Sequence, residues 1–291
     1  MTQHNKDLLS RSTTVFLHIP KTAGTTLYTI MDRQFELRQT VTINGERDHL
    51  NKLQEVKDSP AKIQKKIELV KGHTYIGWHE VLPQKVTYFT LLRNPIDRFI
   101  SHYYYIKNLP THPLYTLINE KNISLTDYAF MQGEDNGQTR FLATAIDNGE
   151  IEYKSKECST EILDKAKENL QKYCAVVGIV EDFDKTLLLL KKKFGWSNIF
   201  YVVKNKNKSR RSKREISKET LEIIEKQHEY DLELYDYSKD LFARLIAEQD
   251  ENFEKDLHNF QNLNSSMYGK FSTFTATSAV KFQKLLFPRH K

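Results

Sequence analysis

A chain of 291 residues is long enough to bury a full core, and α/β folds of this size commonly form one domain. Hydrophobic residues make up 39% and mean hydropathy is -0.61, values of a soluble globular protein, and no apolar run approaches the roughly 20 residues that span a bilayer. The net charge of +6, from 44 basic against 38 acidic residues, admits a polyanionic partner without requiring one.

In chain order, the opening MTQHNKDLLSRSTT lacks the apolar centre of a secretion signal. With only two cysteines, Cys158 and Cys174, a reducing cytoplasm is expected and a disulfide framework is not. Val15–Ile19 is an apolar run of strand length, and Leu27, Ile30, Met31 and Phe35 then recur at helix spacing. A second strand is expected over Val86–Leu92, ended by Asn94-Pro95, where proline suits the first turn of a following helix. Tyr173–Val180 is a third, followed by a helix that Asp182 starts and Gly195 ends; Ile199–Val203 is a fourth. After Ser217, Leu221, Ile224, His228, Leu232, Tyr235, Leu241 and Leu245 give one or two helices, with a break expected near Tyr237-Ser238. The expected layout is a main domain over residues 1–247 and a helical or flexible tail over 248–291, whose middle reads as a linker.

Strands separated by helices make an α/β fold with a mostly parallel central sheet flanked by helices, and ligands of such sheets lie outside the carboxyl ends of the strands. That rule places Pro20 to Thr26 at a ligand site. A helix N-terminus offers unpaired N–H groups and partial positive charge; Ala23 and Gly24 let the backbone approach closely, Lys21 adds a mobile charge, and Thr22, Thr25 and Thr26 add hydroxyl donors. The alternative is a solvated turn whose threonines only cap the helix. The stretch is not a Walker A sequence, because Lys21 precedes the glycine instead of ending the glycine loop. In "LLRNPIDRFISHYYY", Arg93 leaves a strand, and Arg98 and Ser101 lie three apart on the next helix. Arg93 and Ser101 suit a second phosphate, while Arg98 is as well explained by a structural ion pair.

"FLHIPKTAGTTL" and "LLRNPIDRFISHYYY", about 70 residues apart, together resemble the two nucleotide-binding motifs of sulfotransferases that use 3′-phosphoadenosine 5′-phosphosulfate (PAPS), a family that includes heparan sulfate 2-O-sulfotransferase and bacterial carbohydrate sulfotransferases. Weaker echoes are "VKGHTYIG", "NGQTRFLA" and "VVGIVEDFDKTLLLL". The resemblance implies the P-loop-like sulfotransferase fold, with Lys21, Thr22, Ala23, Gly24, Thr25 and Thr26 at the 5′-phosphosulfate and Arg93 with Ser101 at the 3′-phosphate. It also implies a hydroxyl-bearing acceptor, a carbohydrate before a small lipid or phenol, PAP as product and no metal. By analogy with phosphoryl transfer, charge develops on the leaving phosphate, a role for Lys21, and the acceptor hydroxyl must lose a proton, a role for a neutral imidazole.

Among ten histidines, His73 in "KGHTYIGWHE" occupies the position where the resembled enzymes carry their base, whereas His18 reads as a structural residue that orients the loop. His79, Glu80 and His102 are the other candidates. Lys204 to Arg214, "KNKNKSRRSKR", holds seven basic residues in eleven, and is either a loop over the nucleotide or acceptor or a solvated segment. It contains no aromatic residue to stack on bases, so no nucleic-acid partner is expected. Of Tyr103 to Tyr105 at least one belongs to the core. The rival functions are an ATP-dependent kinase, which lacks a Walker A lysine here, and a polyanion-binding module without chemistry.

Overall fold

The computed structural model describes residues 12–131, 135–147, 150–151, 157–202 and 213–266. Its centre is a parallel sheet of β1 (Ser12–Leu17), β2 (Thr40–Ile43), β3 (Leu69–Gly72), β4 (Lys85–Leu92) and β5 (Cys174–Ile179), in the order β2-β3-β1-β4-β5. Thr13 to Leu17 and Tyr88 to Leu92 are buried without interruption, as central parallel strands covered on both faces require. Helices flank the sheet: α1 (Gly24–Met31), α2 (Pro95–Lys107), α3 (Gly137–Ala143), α4 (Phe183–Phe194), α5 (Lys218–Gln227), α6 (Glu229–Ala247) and α7 (Phe253–Ser265) are those that bear on the site.

Register dictates what meets at the carboxyl ends. Leu17 of β1 pairs with Gly72 of β3 on one side and with Thr90 of β4 on the other. His73, one residue past Gly72, and Arg93, three past Thr90, therefore flank the loop that begins at His18. The chain leaves β1 toward β2 and leaves β4 toward β5, so the strand order reverses between β1 and β4. That switch point is where open α/β sheets form their crevice.

Two strands of the central sheet, β2 and β3, escaped the sequence pattern, and Ile199–Val202 does not form the strand expected there. β3 is fully buried, yet it carries Lys71, whose charge interrupts the apolar run; the ammonium pairs with Asp32 beyond α1 and faces the Tyr28 ring at 5.3 Å. Replacing one partner of such a pair strands a buried charge, so Asp32→Ala is expected to lower stability by about 3 kcal/mol in urea denaturation. Ile199–Val202 is not a strand: the Asn198 and Phe200 carbonyls accept from the Arg33 and Gln34 side chains, and the Tyr201 N–H donates to Asn264 Oδ1 (2.8 Å), so side chains replace a ladder. Val203 lies outside the described residues.

The break in the late helical segment falls at His228, not at Tyr237-Ser238. Ser238 lies within α6, buried, with its hydroxyl satisfied by donating back to the Leu234 carbonyl at 2.7 Å. α7 packs Phe253, Leu257 and Phe260 into the main core. Residues 267–291 lie outside the described ones, and among the described residues no helix is long and apolar enough to cross a membrane.

Candidate active site

The loop from His18 to Ala23 turns the chain sharply from β1 into α1. Lys21 and Ala23 both adopt left-handed backbone, at φ 73° and 62°, and Ala23 is the N-cap of α1. Two non-glycine residues in that region within three positions cost about 1 kcal/mol each or more, strain of the kind stored at functional sites. The N-terminus of α1 carries the positive end of the helix dipole, and the amides ahead of Thr26, whose own N–H donates to the Ala23 carbonyl at 3.1 Å, precede the intrahelical ladder. Gly24 is required by packing: a Cβ there would lie 1.9 Å from His18 Nε2, so the imidazole rests directly on the first turn of α1. Thr22 departs from its expected role as a hydroxyl donor to ligand. It is fully buried and its hydroxyl donates to the Ile19 carbonyl at 2.8 Å, shaping the loop from within.

On the other side of β1, Asn94 caps α2 by accepting the Asp97 N–H at 3.1 Å, with Pro95 at the first helical position as expected. Arg93 thereby sits between strand and helix, and its Nη1 donates to the Lys21 carbonyl at 3.2 Å. Lys21, Thr25 and Thr26 share one cleft of about 350 Å³ with Arg93, Ser101 and His73. Arg98 faces away from it, buried 3.8 Å from Asp231 of α6, which is the structural role.

His73 Nδ1 lies 3.2 Å from the His18 carbonyl oxygen. A carbonyl only accepts, so the proton of the neutral ring sits on Nδ1, which leaves Nε2 as the basic atom. The ring stacks on His18 with centroids 5.0 Å apart and planes 17° from parallel. His18 in turn meets the Tyr28 hydroxyl through Nδ1 at 2.6 Å. Burial, then the charges of His73 and Lys21, push the His18 imidazole down to about 3, so it is neutral at any working pH. The other candidates lie elsewhere: His79 Nδ1 bonds the Tyr88 hydroxyl (2.9 Å), His102 Nδ1 bonds that of Tyr128 (2.8 Å), and neither lines the cleft.

His49 behaves like His18, pushed down to about 4 by burial against a smaller upward pull from Asp48. Both groups have pKa values depressed by folding, so the unfolded chain takes up protons near pH 6.5 that the folded chain refuses. Their stabilisation is complete above that pH and is lost as pH falls toward 4. The urea midpoint is expected to drop between pH 7 and pH 4.5, and His49→Phe to flatten that slope.

Three features of the site were missed or half-read in the sequence. Tyr105 lines the cleft and holds Lys21 Nζ 4.0 Å from its ring centroid, whereas Tyr103 is core. Val180, whose N–H donates to the Leu92 carbonyl (2.9 Å), closes the cleft beside Arg93. A second cleft of about 400 Å³ shares Ala23, Thr26 and Val180 with the first and continues along Glu181, Phe183 and Tyr201. Of the basic run, 204–212 lies outside the described residues; Lys213 and the Arg214 backbone belong to a short 3-10 turn.

Known proteins share this arrangement of sequence. The chain is 26% identical over 280 residues to heparan-sulfate 6-O-sulfotransferase 2 of Gallus gallus, covering 79% of this chain and 66% of that one. It is 28% identical over 186 residues to heparan-sulfate 6-O-sulfotransferase 1 of Cricetulus griseus and of Mus musculus, covering 56% of this chain and 46% and 44% of theirs. The chain thus spans about half to two thirds of the length of these relatives, and they are 6-O enzymes where the motif resemblance had pointed to 2-O enzymes. The family model described as "Sulfotransferase family" matches residues 10–238, from the start of β1 through the cleft and into α6, and by that match the chain belongs to the sulfotransferase family.

Proposed function

We propose that the protein moves the sulfuryl group of PAPS onto a hydroxyl of a carbohydrate. The observation that carries this reading is the convergence of Lys21 and the α1 N-terminus, Arg93 with Ser101, and His73 on one cleft. The donor has anions at two ends, and the cleft offers two separate cationic groups. Lys21 with the first-turn amides and the Thr25 and Thr26 hydroxyls suits the phosphosulfate, and the Arg93 fork with the Ser101 hydroxyl suits the 3′-phosphate. The adjoining cleft suits the nucleoside: Phe183 and Tyr201 supply aromatic faces, and Glu181, Asp182 and Asp184 supply acceptors for an exocyclic amine.

PAPS supplies an activated sulfuryl group. In the transfer the bond from sulfur to the 5′-phosphate oxygen breaks, a bond from sulfur to the acceptor oxygen forms, and the hydroxyl proton passes to His73 Nε2. Lys21 offsets the charge gained by the leaving phosphate, an interaction stronger in the transition state than before it. Heparan sulfate is the acceptor that the relatives' names state, and it supports a carbohydrate hydroxyl here. The test combines ligand-induced melting shifts with transfer of labelled sulfate to a panel of polysaccharides, glycolipids and small alcohols. PAP is expected to raise Tm well above ATP with magnesium, and label is expected on polysaccharide. An equal shift from ATP, or label confined to small alcohols, overturns the reading.

A further inference from the structure

We propose that Gln138 is a positioning residue that fixes Arg93 for anion binding by clamping its backbone, an inference that rests on the donor reading above. Gln138 lies in the first turn of α3 and is fully buried. Its Oε1 accepts the Arg93 N–H at 3.0 Å and its Nε2 donates to the Arg93 carbonyl at 2.9 Å. One side-chain amide thus makes both bonds that a neighbouring strand would make, at the residue where β4 has just left the sheet. Only glutamine does this here: asparagine is one methylene shorter, and ionised glutamate has no donor for the carbonyl.

The clamp is itself anchored. Asp231 of α6 accepts from the Gln138 and Thr139 N–H groups (3.1 and 2.7 Å) and from the Thr139 hydroxyl (2.8 Å), while Asn136 Oδ1 accepts the Asp231 N–H at 3.0 Å. Arg98 neutralises the same carboxylate from 3.8 Å. The Arg93–Asn94 peptide is held from its other edge too, since the Asn94 N–H donates to Glu181 Oε1 at 2.9 Å. α6 therefore fixes α3, α3 fixes the root of Arg93, and Arg93 reaches the Lys21 carbonyl. A long guanidinium side chain delivers its fork to a set point only from a rigid root, which the two amide bonds supply.

The experiment is calorimetric titration of the full chain with PAP, for wild type, Gln138→Met, Arg93→Ala and the double variant. Methionine keeps the volume and removes both bonds. PAP affinity is expected to fall about tenfold in Gln138→Met, and the double variant to bind no more weakly than Arg93→Ala alone. In turnover, KM for PAPS is expected to rise while kcat stays within about threefold. A merely structural role would weaken binding equally in both backgrounds, and that result overturns the clamp, as does unchanged affinity in Gln138→Met. Wild-type affinity in Arg93→Ala with a loss in Gln138→Met overturns the clamp and leaves the donor reading standing. No affinity in wild type overturns that reading and the clamp with it. Should Gln138→Met fail to fold, Gln138→Asn, an uncharged amide one methylene too short to make both bonds, is expected to show the same non-additivity.

Discussion

Replacing His73 with alanine is expected to lower kcat for sulfuryl transfer by about 10²–10⁴-fold, the usual worth of a general base, while PAP affinity stays within about twofold. The split follows from geometry. His73 faces the cleft from the end of β3, on the opposite side of β1 from Arg93, so it can serve the acceptor without holding the donor's 3′ end. Its tautomer is set by the His18 carbonyl and its plane by the His18 ring, so Nε2 is presented in basic form before any substrate arrives. His18 plays this part well because burial keeps it uncharged; a second imidazolium there would repel the proton that His73 is to receive. His79→Ala and His102→Ala are expected to transfer label at rates within about threefold of wild type, since both imidazoles are engaged with tyrosines away from the cleft. A His73→Ala chain that still turns over at the wild-type rate would remove the base from the mechanism, and inactivity of His79→Ala would transfer the role.

Both halves of the cleft proposed to hold the donor were legible as strand-to-helix junctions, which announce themselves locally: Ile19-Pro20 before the small residues of α1, and Arg93-Asn94-Pro95 before α2. The carboxyl-end rule then put them on the same rim. What local pattern could not give is adjacency. β3 was hidden by Lys71, whose compensation by Asp32 lies 39 residues away, so His73 was placed by family resemblance and not by its own neighbours. The reverse error at Ile199–Val202 has the same origin: an apolar run of strand length was satisfied by Arg33, Gln34 and Asn264, none of them near in sequence. The pattern around Gln138 carries no local sign of its role, because its partner Arg93 is 45 residues distant. The break at His228 also depends on distant residues, as the start of α6 is tied to α3 through Asp231 and Asn136.

Lys21→Ala is expected to reduce kcat by about 10²–10³-fold, the loss that accompanies removal of one preorganised donor from developing negative charge, with a smaller weakening of PAP binding. Alanine is the informative replacement because position 21 has φ 73°: an unbranched Cβ is kept there, so the backbone strain is little changed and the ammonium is what is lost. The Lys21 carbonyl, which receives Arg93 Nη1, is also retained, so the placement of Arg93 is undisturbed. Lys21→Arg is expected to recover little, since a planar fork distributes its charge and cannot replace a compact ammonium at one oxygen. Tyr105 sharpens the expectation. It holds the ammonium over its ring at a cost to donor binding of no more than about 1 kcal/mol, so Tyr105→Leu is expected to tighten PAP binding up to about fivefold in wild type and not at all in Lys21→Ala. Equal PAP affinities for Lys21 and Lys21→Ala chains, together with an unchanged kcat, would place the leaving-group charge elsewhere and leave Arg93 as the cation to be tested next.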